Sequence, residues 1–219
     1  MHRYTWRERM RNAFNLNVSR IVVPLQSDLT SLPALEPLEG ISVRRANCSD
    51  TEDCRIWVDL INGSYPDAHE TVETFRRHCK NHPFLVIREV LFIELRGEVA
   101  ATVSTGSYRR NAMVCGDARI AVARRFQRLG LGFYAVVLGF TECKKAGFSL
   151  AESVITHWRE QSIRIHLRCG FRPQFDQRFV QYGSQRRLWP ASALARHRVR
   201  KICKKFYGDL SQRFLKETK

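Results

Sequence analysis

A chain of 219 residues with 44% hydrophobic and 26% charged side chains has the composition of a soluble globular protein with one core and terminal extensions. No segment resembles the apolar stretch of a secretory signal, and no apolar run approaches the roughly 18 residues that span a bilayer, so the expectation is a soluble protein without a transmembrane segment. The net charge of +16 points to acidic partners, while seven cysteines without a C-x-x-C pair read as free thiols in a reducing cytoplasm, with no metal.

In chain order, Met1 to Arg20 carries five arginines against Glu8, a pattern that suits a transit peptide or, with Trp6 and Phe14, a docking helix. Residues 21 to 40 hold Pro24, Pro33, Pro37 and Gly40 and read as an irregular connector. Ile41 to Arg44 reads as a first strand. Ser49 with Glu52 forms a capping box opening a helix with Trp57, Leu60 and Ile61 on one face, stopping at Gly63. Asp67 with Glu70 repeats the pattern for a second helix carrying Val72, Phe75 and Cys79 inward, ending before Pro83.

Val90 to Leu95 and Val99 to Val103, joined by Arg96-Gly97-Glu98, predict a β-hairpin. Val114 to Val122 predicts another strand. Gln127-Arg-Leu-Gly-Leu-Gly132 follows, then a helix from Phe133 to Lys145 that stops at Ala146-Gly147. Two glycines two apart at a helix start let backbone N–H groups converge on an anion that the helix dipole favours, and a pyrophosphate is the natural guest. Ser149 to Ile155 predicts a strand, Arg159 to Cys169 a last helix of the domain closed by Gly170, and Phe175 to Tyr182 a final strand.

From Arg186 to Lys219 there are eleven Lys or Arg against Asp209 and Glu217. Ala195, Val199, Ile202, Phe206, Leu210 and Phe214 recur at helical spacing, so an amphipathic helix with a basic face is expected. That face is either a solvated surface or a footprint for tRNA, ribosome, an acyl-carrier protein or an anionic membrane surface.

The element order β-α-α-β-β-β-loop-α-β-α-β, with the Gln-x-x-Gly-x-Gly loop after the fourth strand, resembles the GCN5-related N-acetyltransferase (GNAT) superfamily. The stretch from Thr156-His157-Trp158-Arg159 through His166-Leu167 to Cys169-Gly170-Phe171 supports it. The resemblance covers about residues 41 to 183, between a basic N-terminal region (1 to 40) and a basic C-terminal helix (184 to 219). It implies an α/β (α+β) fold: a single mixed, mostly antiparallel central sheet flanked by helices.

The resemblance also implies a site. Backbone groups of Ile120, Ala121 and Val122 would pair with the pantetheine arm of acetyl-CoA or another acyl-CoA. Amides around Gln127, Arg128, Leu129, Gly130, Leu131 and Gly132 would hold the pyrophosphate, and Ser162 would join the cofactor-binding set. The chemistry implied is direct attack of an amine on a thioester, which needs a base and an acid for the leaving thiolate. Where the family often has a tyrosine acid, this chain has His166, read as either the acid or a packing residue. Glu152 and Asp117 are the candidate bases, with a water chain as the alternative. Tyr108, His157, Trp158 and Arg159 are candidates for lining the acceptor pocket.

The function implied is an acyl-CoA-dependent N-acyltransferase, most directly an N-acetyltransferase, acting on an amine of a small molecule or macromolecule. A long-chain N-acyl synthase using an acyl-carrier-protein thioester and a non-catalytic module binding nucleic acid or protein are the alternatives.

Overall fold

The computed structural model describes residues 22–65, 68–156, 159–174 and 189–207. The strands are β1 (Val22–Asp28), β2 (Ile41–Arg45), β3 (Leu85–Leu95), β4 (Glu98–Tyr108), β5 (Asn111–Val122), β6 (Leu150–Thr156) and β7 (Arg172–Pro173). The helices are α1 (Thr51–Ser64), α2 (Val72–Asn81), α3 (Leu131–Lys145), α4 (Glu160–Arg168) and α5 (Trp189–Tyr207). The strands form a seven-stranded mixed sheet in the order β2-β3-β4-β5-β6-β1-β7. From β2 to β5 the neighbours are antiparallel, and β5 meets β6 in parallel.

Two compact units divide the chain. The larger comprises Gln26–Ser153 and Arg168–Phe171, and the other includes Val154–Leu167 and α5. In the larger unit, period-two alternation sorts β3 between two cores. Val90 and Phe92 join Trp57, Ile61 and Phe75 under α1 and α2. Leu91 and Ile93 join Leu131, Ala135 and Leu138 under α3. The Trp57 and Phe75 rings stack with centroids 4.6 Å apart. In the smaller unit α5 buries Val199, Ile202 and Cys203, as its apolar spacing predicts.

The hairpin forms as expected, though its strands are longer. Arg96 and Gly97 both have positive φ, 53° and 83°, the backbone signature of a two-residue hairpin turn whose twist matches the strands.

Several expectations are corrected. The connector expected over 21 to 40 contains β1. Pro24 lacks an N–H, but its carbonyl still accepts from Gln174 N at 3.0 Å, so the proline is accommodated beside the short β7. Asp50, not Ser49, caps α1, accepting from Glu52 N, because the helix starts at Thr51 and Ser49 lies one residue before the cap position. Helix α1 runs through Gly63 to Ser64. The capping box of α2 uses Thr71 and Thr74 rather than Asp67 and Glu70. The N-terminal helix and the strand expected at 175 to 182 lie outside the described residues.

The free-thiol expectation fails for one pair. Cys48, before α1, and Cys79, on α2, form a disulfide with Cα atoms 6.6 Å apart, within the span such a bridge needs. Both pack at the edge of the same core cluster, a proximity that a separation of 31 residues hides. Cys54, Cys115, Cys143, Cys169 and Cys203 are free and buried. Among the described residues no helix is long and apolar enough to cross a membrane, and no cluster of three or more His, Cys, Asp or Glu could hold a metal ion.

Candidate active site

Strand β5 pairs with β4 over nearly its whole length, but with β6 only from Val114↔Leu150 to Gly116↔Glu152. Past Gly116 it continues to Val122 with no further register partner on β6. Ala123 N donates to Ala100 O at 2.8 Å, so Ala123 faces β4. Because backbone groups alternate along a strand, the Val122 and Ile120 carbonyls face away from β4. This is the edge onto which an extended ligand arm can add main-chain hydrogen bonds.

The glycine loop stands at the end of that edge. A single 3-10 turn, Arg124–Phe126, leads to Gln127, and Arg128 and Gly130 adopt left-handed φ values of 67° and 84°. Gly130 is the N-cap of α3 and no side chain caps the first turn. The leading amides of a 15-residue helix therefore lack a side-chain acceptor, and Arg128, Leu129 and Gly130 are exposed beside them. Dipole and amides favour an anion here. Arg128 has no carboxylate partner among the described residues. Arg125 pairs with Glu98 at 2.5 Å, and Arg124 Nε donates to Gly63 O at 2.9 Å. The expected pyrophosphate cradle and the strand edge are thus contiguous along the chain.

The expected bases are separated. Gly116 and Glu152 are register partners in a parallel pair, whereas Asp117 is the partner of Thr105, so Glu152 and Asp117 project from opposite sheet faces. On the Asp117 face the Cys115 thiol is pushed up by its hydrogen bond with Cys143 and by burial, and Asp117 contributes to the same rise. Glu152 is only 6% exposed. It forms an ion pair with Arg110, and its backbone carbonyl accepts the Tyr108 hydroxyl at 3.1 Å. The Arg110 guanidinium lies 5.1 Å from the Tyr108 ring centroid. Tyr108 therefore belongs with Glu152, a grouping the sequence did not suggest.

On the same face as Gly106 and Gly116, Ser104 Oγ lies 2.9 Å from His78 Nε2, with both residues buried. Burial first, then His82 and Arg119, push the His78 imidazole down to about 3. Burial, with Arg119 and Arg109, brings His82 down to about 4. His82 Nδ1 accepts from Phe84 N and Leu85 N at 3.3 and 3.1 Å, which leaves its proton on Nε2. The inward face expected for α2, Val72, Phe75 and Cys79, leaves out His78, which is buried with Phe75. Its signal was the polar pair Thr102 and Ser104 on one face of a buried strand.

In the smaller unit, His166 is 1% exposed and its Nδ1 donates to the Ser162 carbonyl at 2.8 Å, a bond within one turn of α4. Arg159 precedes α4, and its carbonyl accepts from Ile163 N at 3.0 Å. His157 and Trp158 lie outside the described residues.

The sequence matches the Acetyltransferase (GNAT) family pattern over residues 52–171, more than half of the chain. No curated protein matches it. Among solved structures, a GCN5-related N-acetyltransferase from Kribbella flavida superposes with a TM-score of 0.52 at 18% identity, covering 72% of this chain and 55% of that one. A GCN5-related N-acetyltransferase from Sphaerobacter thermophilus gives 0.56 at 16% identity, covering 77% and 53%. A tandem GNAT protein of the clavulanic acid biosynthesis pathway gives 0.53 at 13% identity, covering 79% and 57%. The chain thus spans about half the length of these relatives in fold. With the uncapped glycine loop and the shortened β5–β6 pairing both inside the matched segment, the chain belongs to the GNAT acetyltransferase family.

Proposed function

We propose that the protein transfers an acyl group, acetyl in the first instance, from acyl-CoA to an amine by direct attack in a ternary complex. The observation that carries this is the junction of two features on one stretch of chain: the β5 edge without a β6 partner past Gly116 and the uncapped α3 N-terminus at Gly130. The edge suits an extended amide-bearing arm and the helix start suits a pyrophosphate. Both features suit the chemistry of acyl-CoA.

In this reading the amides of residues 128 to 132 and the Arg128 guanidinium hold the pyrophosphate, and Ile120 to Val122 hold the arm. Bound acyl-CoA supplies an activated thioester. Glu152, buried, paired with the exposed Arg110 and next to Tyr108, takes the amine proton directly or through water. The amine nitrogen bonds to the acyl carbon, the C–S bond breaks, and the sulfur leaves as thiolate to be protonated. The test is release of free CoA thiol from acetyl-CoA across a panel of primary amines. Amine-dependent release is expected, and thiol release independent of every amine would contradict the reading.

An acidic macromolecular partner is the second element of the reading, supported by α5. Helix α5 contains no Asp or Glu, and His197, Arg198, Arg200, Lys201, Lys204 and Lys205 are all exposed. At 100° per residue they fall on one face, opposite the buried Val199, Ile202 and Cys203. Because the apolar stripe is already buried, the helix offers charge rather than an inserting face, which suits tRNA, ribosome or acyl-carrier protein over a bilayer. Binding to tRNA and to acyl-carrier protein should weaken steeply between low and physiological salt. Preference for a carrier-bound thioester over acetyl-CoA would move the function to the long-chain synthase.

A further inference from the structure

The carbonyls that face the open side of β5 are already engaged, and by a helix rather than a strand. Ser64 Oγ, from the last residue of α1, donates to Val122 O at 3.0 Å. Tyr65, the next residue, donates its hydroxyl to Ile120 O. Val122 O also accepts from Gln127 Nε2 at 3.2 Å, so both of its lone pairs are taken. Further contacts fix the end of α1 at this place. Arg124 Nε bonds to Gly63 O, Asn62 exchanges two hydrogen bonds with the Glu70 backbone at 3.0 and 2.8 Å, and Arg119 pairs with Glu70.

A pantetheine arm carries two amide N–H groups in extended sequence, and the β5 edge offers two carbonyls on one side, Ile120 and Val122. Two hydroxyls from α1 occupy those two acceptors. We infer that Ser64 and Tyr65 are internal stand-ins for the arm of the acyl donor: they satisfy the edge in the free protein and are displaced from it when the donor binds. This rests on the donor site proposed above. An edge carbonyl without a partner would cost free energy wherever water is excluded, so the clasp keeps the edge satisfied at the expense of donor affinity. Donor binding is thereby coupled to the C-terminal end of α1 and, through Asn62 and Glu70, to the approach to α2.

The test is calorimetric titration of the full chain with CoA and with acetyl-CoA, comparing wild type, Ser64→Ala, Tyr65→Phe and the double variant. Each substitution removes one hydroxyl and keeps the rest of the side chain. Each should tighten donor binding about two- to tenfold, the range of one net hydrogen bond, and the double variant should tighten it further. Unchanged or weaker binding in all variants, with wild type binding normally, would overturn the clasp and leave the donor site standing. No donor binding by wild type would overturn both. A second readout needs no variant: saturating CoA should speed amide hydrogen exchange at the end of α1 while slowing it at residues 128 to 133, and slowing at both would overturn the displacement.

Discussion

The Tyr108 hydroxyl donates to the Glu152 backbone carbonyl at 3.1 Å across β5, and the ring passes over Gly116. A Cβ at position 116 would stand 2.6 Å from Tyr108 Cε2 and 3.0 Å from Glu152 O. Gly116 is also the last residue of β5 paired with β6. The point where the sheet parts is thus the point where an aromatic ring is stacked over glycine.

Gly116→Ala should therefore lower stability by about 1–3 kcal/mol, the range for overpacking a well-filled site. Neither the ring nor the opposing backbone can yield without shifting the strand. Chemical denaturation compares the variant with wild type, and a difference below about 0.5 kcal/mol, the scale of ordinary surface changes, would show that the strands adjust freely.

Glu152→Gln should cut turnover about 100-fold or more, in keeping with the loss of a general base, while leaving acetyl-CoA affinity within about twofold. The amide preserves the size of the group buried beside Arg110. Turnover equal to wild type would remove Glu152 from the chemistry and shift attention to a water chain or to Asp117.

Acid sensitivity should come in part from α2. The His78 pKa is about 3 in the folded protein against an ordinary 6.5, so the unfolded chain takes up the proton first as pH falls. The stability from a neutral His78 is complete above about pH 6.5 and is lost progressively below it, down to about 3. His82, at about 4, follows the same sign over a narrower window, with Arg119 and Arg109 adding to the cost of a second positive charge. Unfolding free energy should fall from pH 7 to pH 5, and the fall should be smaller in His78→Gln, which keeps a donor and an acceptor for Ser104. An equal slope in both proteins would contradict this.

Removing the disulfide should loosen the α1–α2 side of the sheet. A bridge closing 31 residues restricts the unfolded chain by about 3–4 kcal/mol on a loop-entropy basis. Cys48→Ser, or reductant added to wild type, should lower the denaturation midpoint by a corresponding amount. Reductant should leave the midpoint of the Cys48→Ser variant unchanged, since Cys79 has lost its partner and the other five described cysteines are free.

The glycine loop and α3 were legible because local chemistry determines them: a residue with φ of 84° before a helix calls for glycine. The β3–β4 hairpin was legible for the same reason, through Arg96-Gly97. Strand β1 was not, because its signal is a short apolar run interrupted by Pro24, and only the neighbouring chain at Gln174 reveals that the proline carbonyl is paired. The two helix caps were displaced by competition among adjacent Ser, Asp and Thr side chains, which periodicity cannot rank. Within the proposed site, the glycine loop and the helix start that follows it could be read from six consecutive residues. The contacts of Ser64 and Tyr65 with β5 span 58 and 55 positions, and the Glu152–Tyr108 bond spans 44; no local pattern encodes them. Only the register with Thr105 assigns Asp117 to the face away from Glu152; the irregularity between Ala118 and Ala121 shifts the alternation, so Ile120 and Val122 share the face of Asp117.

The central claim is that the loop from Gln127 to Gly132 holds the pyrophosphate of an acyl donor. The most direct test is calorimetric titration of acetyl-CoA into wild type and into Gly130→Asp, with circular dichroism confirming that both are folded. Saturable binding is expected for wild type and a loss of at least about 100-fold in the variant, because a carboxylate at the α3 N-terminus meets the same amides that the anion needs and repels it. Equal affinity in the two proteins would contradict it.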